Sequence, residues 1–120
     1  MRMIEILMVE DNNGDVVLVR EAMATVGSKH RLNVVRDGAE AVAYLLRQGA
    51  YATAPRPDLV ILDLKLPRRS GREVLADIRA NPALSAIPVM VLSSSRSELE
   101  FVRASARSGE RYVAKPSTFD

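Results

Sequence analysis

The run Leu59-Val60-Ile61-Leu62 contains no polar residue. A strand with one face in water alternates polar and apolar side chains, so this run predicts a strand covered on both faces, as at the centre of a parallel sheet. Apolar runs that predict four further strands lie at Ile4–Val9 and at residues 32–35, 87–92 and 112–114. The five runs together predict a five-stranded sheet.

Four segments between the predicted strands carry apolar residues at intervals of three and four, the spacing of a helix with one buried face. They cover residues 16–26, 38–46, 74–81 and 98–108. The alternation of strand and helix predicts an α/β fold with helices on both faces of a parallel sheet and right-handed crossovers. Only Ser117 to Asp120 follow Lys115-Pro116. These are too few residues for a fifth helix, which we therefore expect to be missing or truncated.

The composition is that of a single globular domain covering residues 1–120, with 48% hydrophobic and 27% charged residues. The net charge of +2 is small and the arginines are scattered, which argues against a nucleic-acid partner. No apolar run approaches the ~20 residues of a membrane span, and the N-terminus lacks the layout of a signal peptide. There is no cysteine for disulfide bonds. We expect a cytoplasmic protein with no membrane partner.

Polar side chains stand at the C-terminal ends of three predicted strands. Glu10 and Asp11 follow the first strand, Asp63 follows the third and Lys115 follows the fifth. Because strand carboxyl ends in an open parallel sheet meet at one crevice, these side chains should lie together. Three carboxylates and one ammonium suit a hard divalent cation together with an anion, which points to phosphoryl chemistry on Asp63. Without metal, this crowding should raise the pKa of at least one carboxyl group.

In order and spacing, these residues resemble the signature of the receiver domain of two-component response regulators. The residues that carry the resemblance are Glu10-Asp11, Asp63 followed by Leu66-Pro67 and Gly71, Ser93, and Lys115-Pro116. The segments 9–12, 92–95 and 115–118 are most similar to stand-alone regulators paired with bacterial phytochrome kinases. The resemblance implies a flavodoxin-like doubly wound sheet with strand order 2-1-3-4-5.

The resemblance also implies a chemistry for the site. Asp63 would accept a phosphoryl group from the phosphohistidine of a histidine kinase. Mg²⁺ would be held by Asp11 and Asp63 directly, by the backbone carbonyl of Lys65, and by Glu10 through water. Lys115 would pair with the phosphoryl oxygens, aimed by a cis peptide bond before Pro116.

Ser93 is the predicted switch hydroxyl, which would bond a phosphoryl oxygen and draw the following loop toward the site. The neighbouring Ser94 and Ser95 stay open as alternatives. Tyr112 matches the aromatic residue that the family couples to this hydroxyl; the alternative is a half-exposed strand aromatic. A partner would then read the surface formed by the fourth helix and the fifth strand.

Two features depart from the family pattern. Lys65 stands two residues after Asp63, where many relatives carry a small polar residue. Its side chain either shields the phosphoryl group from water, which predicts slow autodephosphorylation, or points to solvent. The short C-terminus predicts an apolar strip beside the first helix. Either the chain is cut short, or a second copy covers the strip as a homodimer or swapped dimer.

Asp15 is predicted to cap the first helix rather than to bind a ligand.

Other classes fit less well. An aspartate-nucleophile phosphatase needs an acid two residues after the nucleophile, where this chain has Lys65. No phosphate-binding G-x-x-x-x-G-K segment occurs, and no Gly-rich dinucleotide fingerprint follows the first strand. A receiver-like interaction module that is never phosphorylated is a third alternative, which failure to bind Mg²⁺ would favour. The sequence therefore predicts a phospho-acceptor signalling domain rather than a turnover enzyme.

Overall fold

The structure is a computed structural model that describes residues 3–27, 29–107 and 109–115. Five strands alternate with four helices in this part of the chain. The strands are β1 (Ile4–Val9), β2 (His30–Val35), β3 (Leu59–Asp63), β4 (Val89–Ser93) and β5 (Glu110–Ala114). The helices are α1 (Asn13–Ala24), α2 (Gly38–Leu45), α3 (Gly71–Ala80) and α4 (Arg96–Arg103), and a short 3₁₀ turn covers Gly49–Tyr51.

The strands form one parallel sheet in the order β2-β1-β3-β4-β5. The predicted flavodoxin-like order is thereby confirmed. In β3, Val60, Ile61 and Leu62 are all buried, because successive side chains point to opposite faces and both faces are covered. The absence of polar alternation in this run indicated that central position correctly.

Helices cover the two faces of the sheet unequally. On one face, Leu7, Val9, Val60, Leu62 and Val91 form a core with buried side chains of α2, α3 and α4. On the other face, strand residues such as Ile6, Met8 and Ile61 pack against Val16, Val19 and Met23 of α1. Among the described residues, α1 is the helix on this second face.

An apolar groove lies beside α1 in the described part of the chain. Its volume is about 280 Å³, and it is lined by Val19, Ala22, Met23, Leu59, Ile61, Met90, Leu92, Val113 and Ala114, with Lys115 at its end. Val113 is 41% exposed and Val17, on α1, is 51% exposed. The apolar strip expected from the sequence is therefore present among these residues. Residues 116–120, where the missing fifth helix was predicted, lie outside the described part.

Two helices end earlier than the sequence indicates. α1 ends at Ala24 rather than near residue 26, where the Thr25 and Val26 amides donate to the carbonyls of Ala22 and Met23, only three residues back. α4 spans Arg96–Arg103 rather than 98–108. It starts earlier because Ser95 caps it, and its last buried residue is Val102.

No helix within residues 3–27, 29–107 and 109–115 is long and apolar enough to cross a bilayer.

Candidate functional site

The carboxyl ends of β1, β3 and β5 bring Glu10, Asp63 and Lys115 together. The Lys115 ammonium donates to Glu10 Oε2 at 2.8 Å and to Asp63 Oδ2 at 3.2 Å. All three side chains are at most 7% exposed. The juxtaposition that the sequence predicted from strand ends therefore exists, and it lies in the protein interior rather than on an open surface.

Asp15 belongs to the same cluster, which the sequence reading missed. The N-cap of α1 is Asn12, whose Oδ1 accepts the amide of Asp15 at 3.0 Å. The Asp15 side chain is thus not the cap; its Oδ2 accepts from the Lys115 ammonium at 2.6 Å. Asp15 is 2% exposed, and its Oδ1 has no hydrogen-bond partner. The position of Asp15 in the chain could have indicated this. Asp15 lies in the first turn of α1, which begins just after β1 ends, so it stays close to the strand ends.

Three carboxylates form a cradle for a cation. Glu10, Asp11 and Asp63 each offer one oxygen, and these oxygens all lie within 4.8 Å of one another. Glu10 and Asp63 are buried, whereas Asp11 is exposed and leaves an entry path. All three donor atoms are carboxylate oxygens, and such a donor set fits a hard divalent cation such as Mg²⁺. Asp11 and Asp63, predicted as direct ligands, and Glu10, predicted to act through water, thus lie close enough to surround one ion.

The cradle opens into a small polar cavity of about 200 Å³. It is lined by Glu10, Asp11, Asn12, Asp15, Asp63, Lys65, Ser94 and Lys115. The amide of Lys65 donates to Asp63 Oδ1 at 3.2 Å and fixes the orientation of that carboxylate. Lys65 itself is exposed. Its side chain thus lies at the rim of the cavity. From there it can either shield a phosphoryl group from water or point to solvent, the two roles predicted for it.

Burial and charge shift the ionisation of the cluster. Burial is the largest cause that raises the pKa of Glu10 to about 7; the neighbouring Asp63 adds to the rise and Lys115 opposes it. Burial lowers the pKa of Lys115, but hydrogen bonds to Asp15 and Glu10 and the charge of Asp63 outweigh it and hold that pKa well above its usual range. The expected rise in one carboxyl pKa therefore falls on Glu10.

Gly71 is required by the packing of α3 against the end of β3. Its amide donates to the carbonyl of Leu64 at 3.0 Å. A Cβ at this position would lie 2.2 Å from the Asp63 carbonyl oxygen and 2.4 Å from the Leu64 Cα. Only a glycine permits this approach, so the helix that follows Asp63 is pressed directly onto the backbone of Asp63.

Ser93, the predicted switch residue, is buried at the end of β4, and its hydroxyl bonds to residues at the start of α4. It donates to Glu98 Oε1 at 3.1 Å and accepts the amide of Ser95 at 3.0 Å. Ser94, which the sequence left open as an alternative, lines the cavity instead. The carbonyl of Ser93 accepts the amide of Lys115 at 2.8 Å, which joins the two strand ends.

Tyr112 occupies an intermediate position, half-buried on the face covered by α4. Its hydroxyl donates to Glu110 and accepts from Arg79 at 3.3 Å, and the Arg103 guanidinium lies 5.5 Å from its ring centroid. Burial and the adjacent Glu110 raise the pKa of Tyr112 to about 12. The residue is held at the edge of the core rather than packed inside it. Pro116 and the predicted cis bond before it lie outside the described residues.

Comparisons with known proteins agree with this geometry. The response regulator receiver domain family matches residues 6–120. Response regulator Rcp1 of Synechocystis sp. is 50% identical over 93 residues, which are 78% of this chain but only 63% of Rcp1.

Two solved structures are also similar. The phosphorylated cyanobacterial phytochrome response regulator RcpA superimposes with a TM-score of 0.90 at 44% identity, over 98% of this chain and 84% of that one. The Mn²⁺-bound form of Rcp1 superimposes with a TM-score of 0.87 at 43% identity, over 94% and 81% of the two chains. The chain therefore belongs to the response regulator receiver domain family of two-component signalling.

Proposed function

We propose that this chain, as one receiver domain over residues 1–120, accepts a phosphoryl group on Asp63 with the help of Mg²⁺. The observation that carries the proposal is the surroundings of Asp63: two further carboxylates within ligand distance of one ion, and an ammonium 3.2 Å from its Oδ2. A carboxylate that only caps a turn needs neither feature. The protein would serve as a phospho-acceptor in the cytoplasm rather than as an enzyme that turns over a substrate.

In the proposed reaction, a carboxylate oxygen of Asp63 attacks the phosphorus of a phosphohistidine. The new O–P bond makes an acyl phosphate, while the P–N bond breaks and its electron pair stays on the imidazole. The incoming group is anionic and meets a site with a strong negative charge. When bound by Glu10, Asp11, Asp63 and the Lys65 carbonyl, Mg²⁺ would supply the neutralising charge. Lys115 would contribute its ammonium to the phosphoryl oxygens.

We further propose that the donor is a histidine kinase of the phytochrome type. Receiver domains interact with histidine kinases, and RcpA, which shares 44% identity with this chain, is a phytochrome response regulator. Phosphorylation would be read as a changed protein surface at α4 and β5, beside Ser93 and Tyr112. No nucleic-acid partner is proposed, because the small net charge of +2 provides no concentrated positive surface.

A second copy of the chain is our proposal for covering the groove beside α1. Apart from Lys115, the groove is lined by apolar side chains, and the exposed Val17 and Val113 lie on its two neighbouring elements. A self-complementary contact between two such faces would remove both from water. Sedimentation equilibrium tests this: a mass of twice 13.2 kDa is expected, reduced to the monomer value by Val113→Glu.

Mass spectrometry after incubation with acetyl phosphate and Mg²⁺ tests the proposed function. We expect a gain of about 80 Da, the mass of one phosphoryl group, that is lost on chelation of the metal. Asp63→Asn should show no gain. Asp77→Asn, which removes a carboxylate on α3 that is paired with Arg69 outside the cavity, should behave as the wild type. A folded wild-type chain that gains no mass would identify an interaction module that is never phosphorylated.

A further inference from the structure

The start of α4 carries an incomplete capping box. In a capping box, the N-cap Ser side chain accepts the amide of the Glu three residues on, and that Glu accepts the amide of the N-cap residue. Here Ser95 Oγ accepts the amide of Glu98 at 3.2 Å. The reciprocal bond is replaced by two others that pass through Ser93: the Ser95 amide donates to Ser93 Oγ at 3.0 Å, and that hydroxyl donates to Glu98 Oε1 at 3.1 Å.

α3 of the same chain shows the complete arrangement. Ser70 Oγ accepts the amide of Glu73 at 3.2 Å, and Glu73 Oε1 accepts the amide of Ser70 at 3.0 Å. Both helices begin with a Ser followed three residues later by a Glu. α4 therefore has every residue that the closed box needs, and the hydroxyl of Ser93 stands between its two halves.

A serine hydroxyl has one hydrogen to donate. Ser93 gives that hydrogen to Glu98, so it cannot donate to a phosphoryl oxygen on Asp63 at the same time. We propose that phosphorylation exchanges partners: Ser93 turns its hydrogen to the phosphoryl group, and the freed Glu98 carboxylate accepts the Ser95 amide and closes the capping box of α4. This inference rests on the proposed phosphorylation of Asp63 and makes Glu98 a positioning residue for the switch.

The exchange leaves no buried polar group without a partner. Two hydrogen bonds exist before it, from the Ser95 amide to Ser93 and from the Ser93 hydroxyl to Glu98. Two exist after it, from the Ser95 amide to Glu98 and from the Ser93 hydroxyl to the phosphoryl group. A buried donor or acceptor without a partner costs free energy. Because the number of hydrogen bonds is the same before and after the exchange, one added phosphoryl group can shift the population toward the second arrangement.

The exchange would also alter a contact on the protein surface. Glu98 Oε2 lies 3.8 Å from Arg72 Nε, and the Arg72 guanidinium lies 4.3 Å from the centroid of the Phe101 ring, which is 66% exposed. Closing the box would bring the Glu98 carboxylate to the Ser95 amide and so change its position relative to Arg72. The contact of Arg72 with Phe101 would then change, which gives a partner an altered aromatic surface to read.

Hydrogen exchange of the Ser95 amide, followed by NMR with and without acetyl phosphate and Mg²⁺, tests the proposal. In the wild type we expect protection in both states. In Glu98→Ala the amide should keep its protection at rest, where Ser93 accepts it, and lose about tenfold after phosphorylation, which corresponds to one net hydrogen bond. Glu98→Gln should restore protection in both states, since glutamine also serves in a capping box. Equal loss in both states of Glu98→Ala would overturn the proposal.

Two controls distinguish a failure of this proposal from a failure of the proposed phosphorylation of Asp63. Glu73→Ala removes the complete box of α3 and should expose the Ser70 amide equally in both states, as for an ordinary cap. Ser93→Ala should leave the Ser95 amide protected without any phosphorylation, because the box can close, and Ser93→Ala with Glu98→Ala should lose that protection. Exposure in Ser93→Ala alone refutes the exchange, whereas failure of the wild-type sample to gain phosphoryl mass refutes the proposed function instead.

Discussion

Lys115 Nζ and Asp15 Oδ2 lie 2.6 Å apart, the shortest of the three bonds that this ammonium makes, although 100 residues separate the two in the chain. In the described residues, one ammonium is thus shared by three buried carboxylates. To pair with a phosphoryl oxygen on Asp63, Lys115 must give up or share one of these three bonds. Asp15 therefore competes with the phosphoryl group for the same cation.

Removal of that competitor should speed phosphorylation. Asp15→Asn keeps the shape of the side chain but removes one negative charge from the cavity, which lessens repulsion of the anionic donor and releases Lys115. We expect the rate with acetyl phosphate to rise by about tenfold, the effect of one nearby partly screened charge. The time course of the mass gain measures it. Asp77→Asn, which also removes one charge but outside the cavity, should leave the rate unchanged; a slower Asp15→Asn would show that Asp15 aims Lys115 instead.

Binding of Mg²⁺ should strengthen as pH rises through about 7. Burial raises the pKa of Glu10 to about 7 in the metal-free protein. Below that pH Glu10 carries a proton and adds no charge to the cradle, whereas above it the carboxylate attracts the cation, so binding releases a proton. Calorimetric titration at pH 6 and pH 8 checks this. Glu10→Gln should bind Mg²⁺ more weakly and with little pH dependence between these values; an unchanged pH slope in that variant would contradict the assignment to Glu10.

The Arg79–Glu110 pair should stabilise the fold above acidic pH. Burial raises the pKa of Glu110, but hydrogen bonds from Arg79, Tyr112 and the Arg107 amide outweigh it and lower the pKa from its usual 4.5 to about 2. Because the folded pKa is the lower one, the unfolded chain binds the proton more readily, and this contribution is present above pH 4.5 and lost as pH falls toward 2.

Urea unfolding of Glu110→Gln at pH 7 and pH 3 measures that contribution. We expect the free energy of unfolding at pH 7 to fall by about 2 kcal/mol, since the partly buried Arg79 loses its bidentate partner. The difference from the wild type should shrink at pH 3. Glu100→Gln serves as the control, because Glu100 is 74% exposed in its pair with Arg103 and such pairs contribute little. A loss in the control as large as in Glu110→Gln would contradict the argument.

The acyl phosphate on Asp63 should be long-lived because of Lys65. Its side chain is exposed at the rim of the cavity, two residues after the acceptor. A long side chain there can exclude the attacking water. Lys65→Ser should therefore shorten the half-life of the phosphorylated protein by about tenfold, an effect of the order attributed to one positioning contact. Mass spectrometry after removal of acetyl phosphate follows the decay. An unchanged half-life would mean that Lys65 points to solvent; Arg68→Ser is the matched control.

Gly71→Ala should destabilise the protein strongly. The new Cβ would meet the Asp63 carbonyl oxygen at 2.2 Å, so helix and strand must separate. Overpacking of this kind costs about 3 kcal/mol in the free energy of unfolding. At Gly27, by contrast, an added Cβ meets nothing within 4 Å, and Gly27→Ala should change stability little. Thermal unfolding of the two variants decides the matter, and similar melting temperatures would contradict the close approach at Gly71.

The sequence predicts the sheet and the strand ends well because both follow from local pattern. A run without polar alternation, such as residues 59–62, must be covered on both faces, and parallel strands must present their carboxyl ends on one side. The gathering of Glu10, Asp63 and Lys115 is a consequence of those two facts. The sequence predicts the helix ends less accurately, because they depend on which residues contact the rest of the protein.

The parts that escaped prediction depend on choices between equivalent side chains. Asn12 and Asp15 can both cap a helix, and only the packed structure shows that Asn12 does so, which leaves Asp15 for Lys115. Likewise, Ser95 and Glu98 stand at the spacing of an ordinary capping box. The insertion of the Ser93 hydroxyl depends on how β4 meets α4 in space, which no local spacing encodes.

The contact at Gly71 has a consequence for the use of this domain as a biosensor. Since α3 abuts the backbone of Asp63 with no room for a single added carbon, that helix cannot slide relative to the acceptor. The start of α4 is held by exchangeable side-chain hydrogen bonds instead. A fluorophore that reports phosphorylation therefore belongs on the outer face of α4, for example at the exposed Glu100, whereas the same label on α3, placed away from Arg72, should respond less.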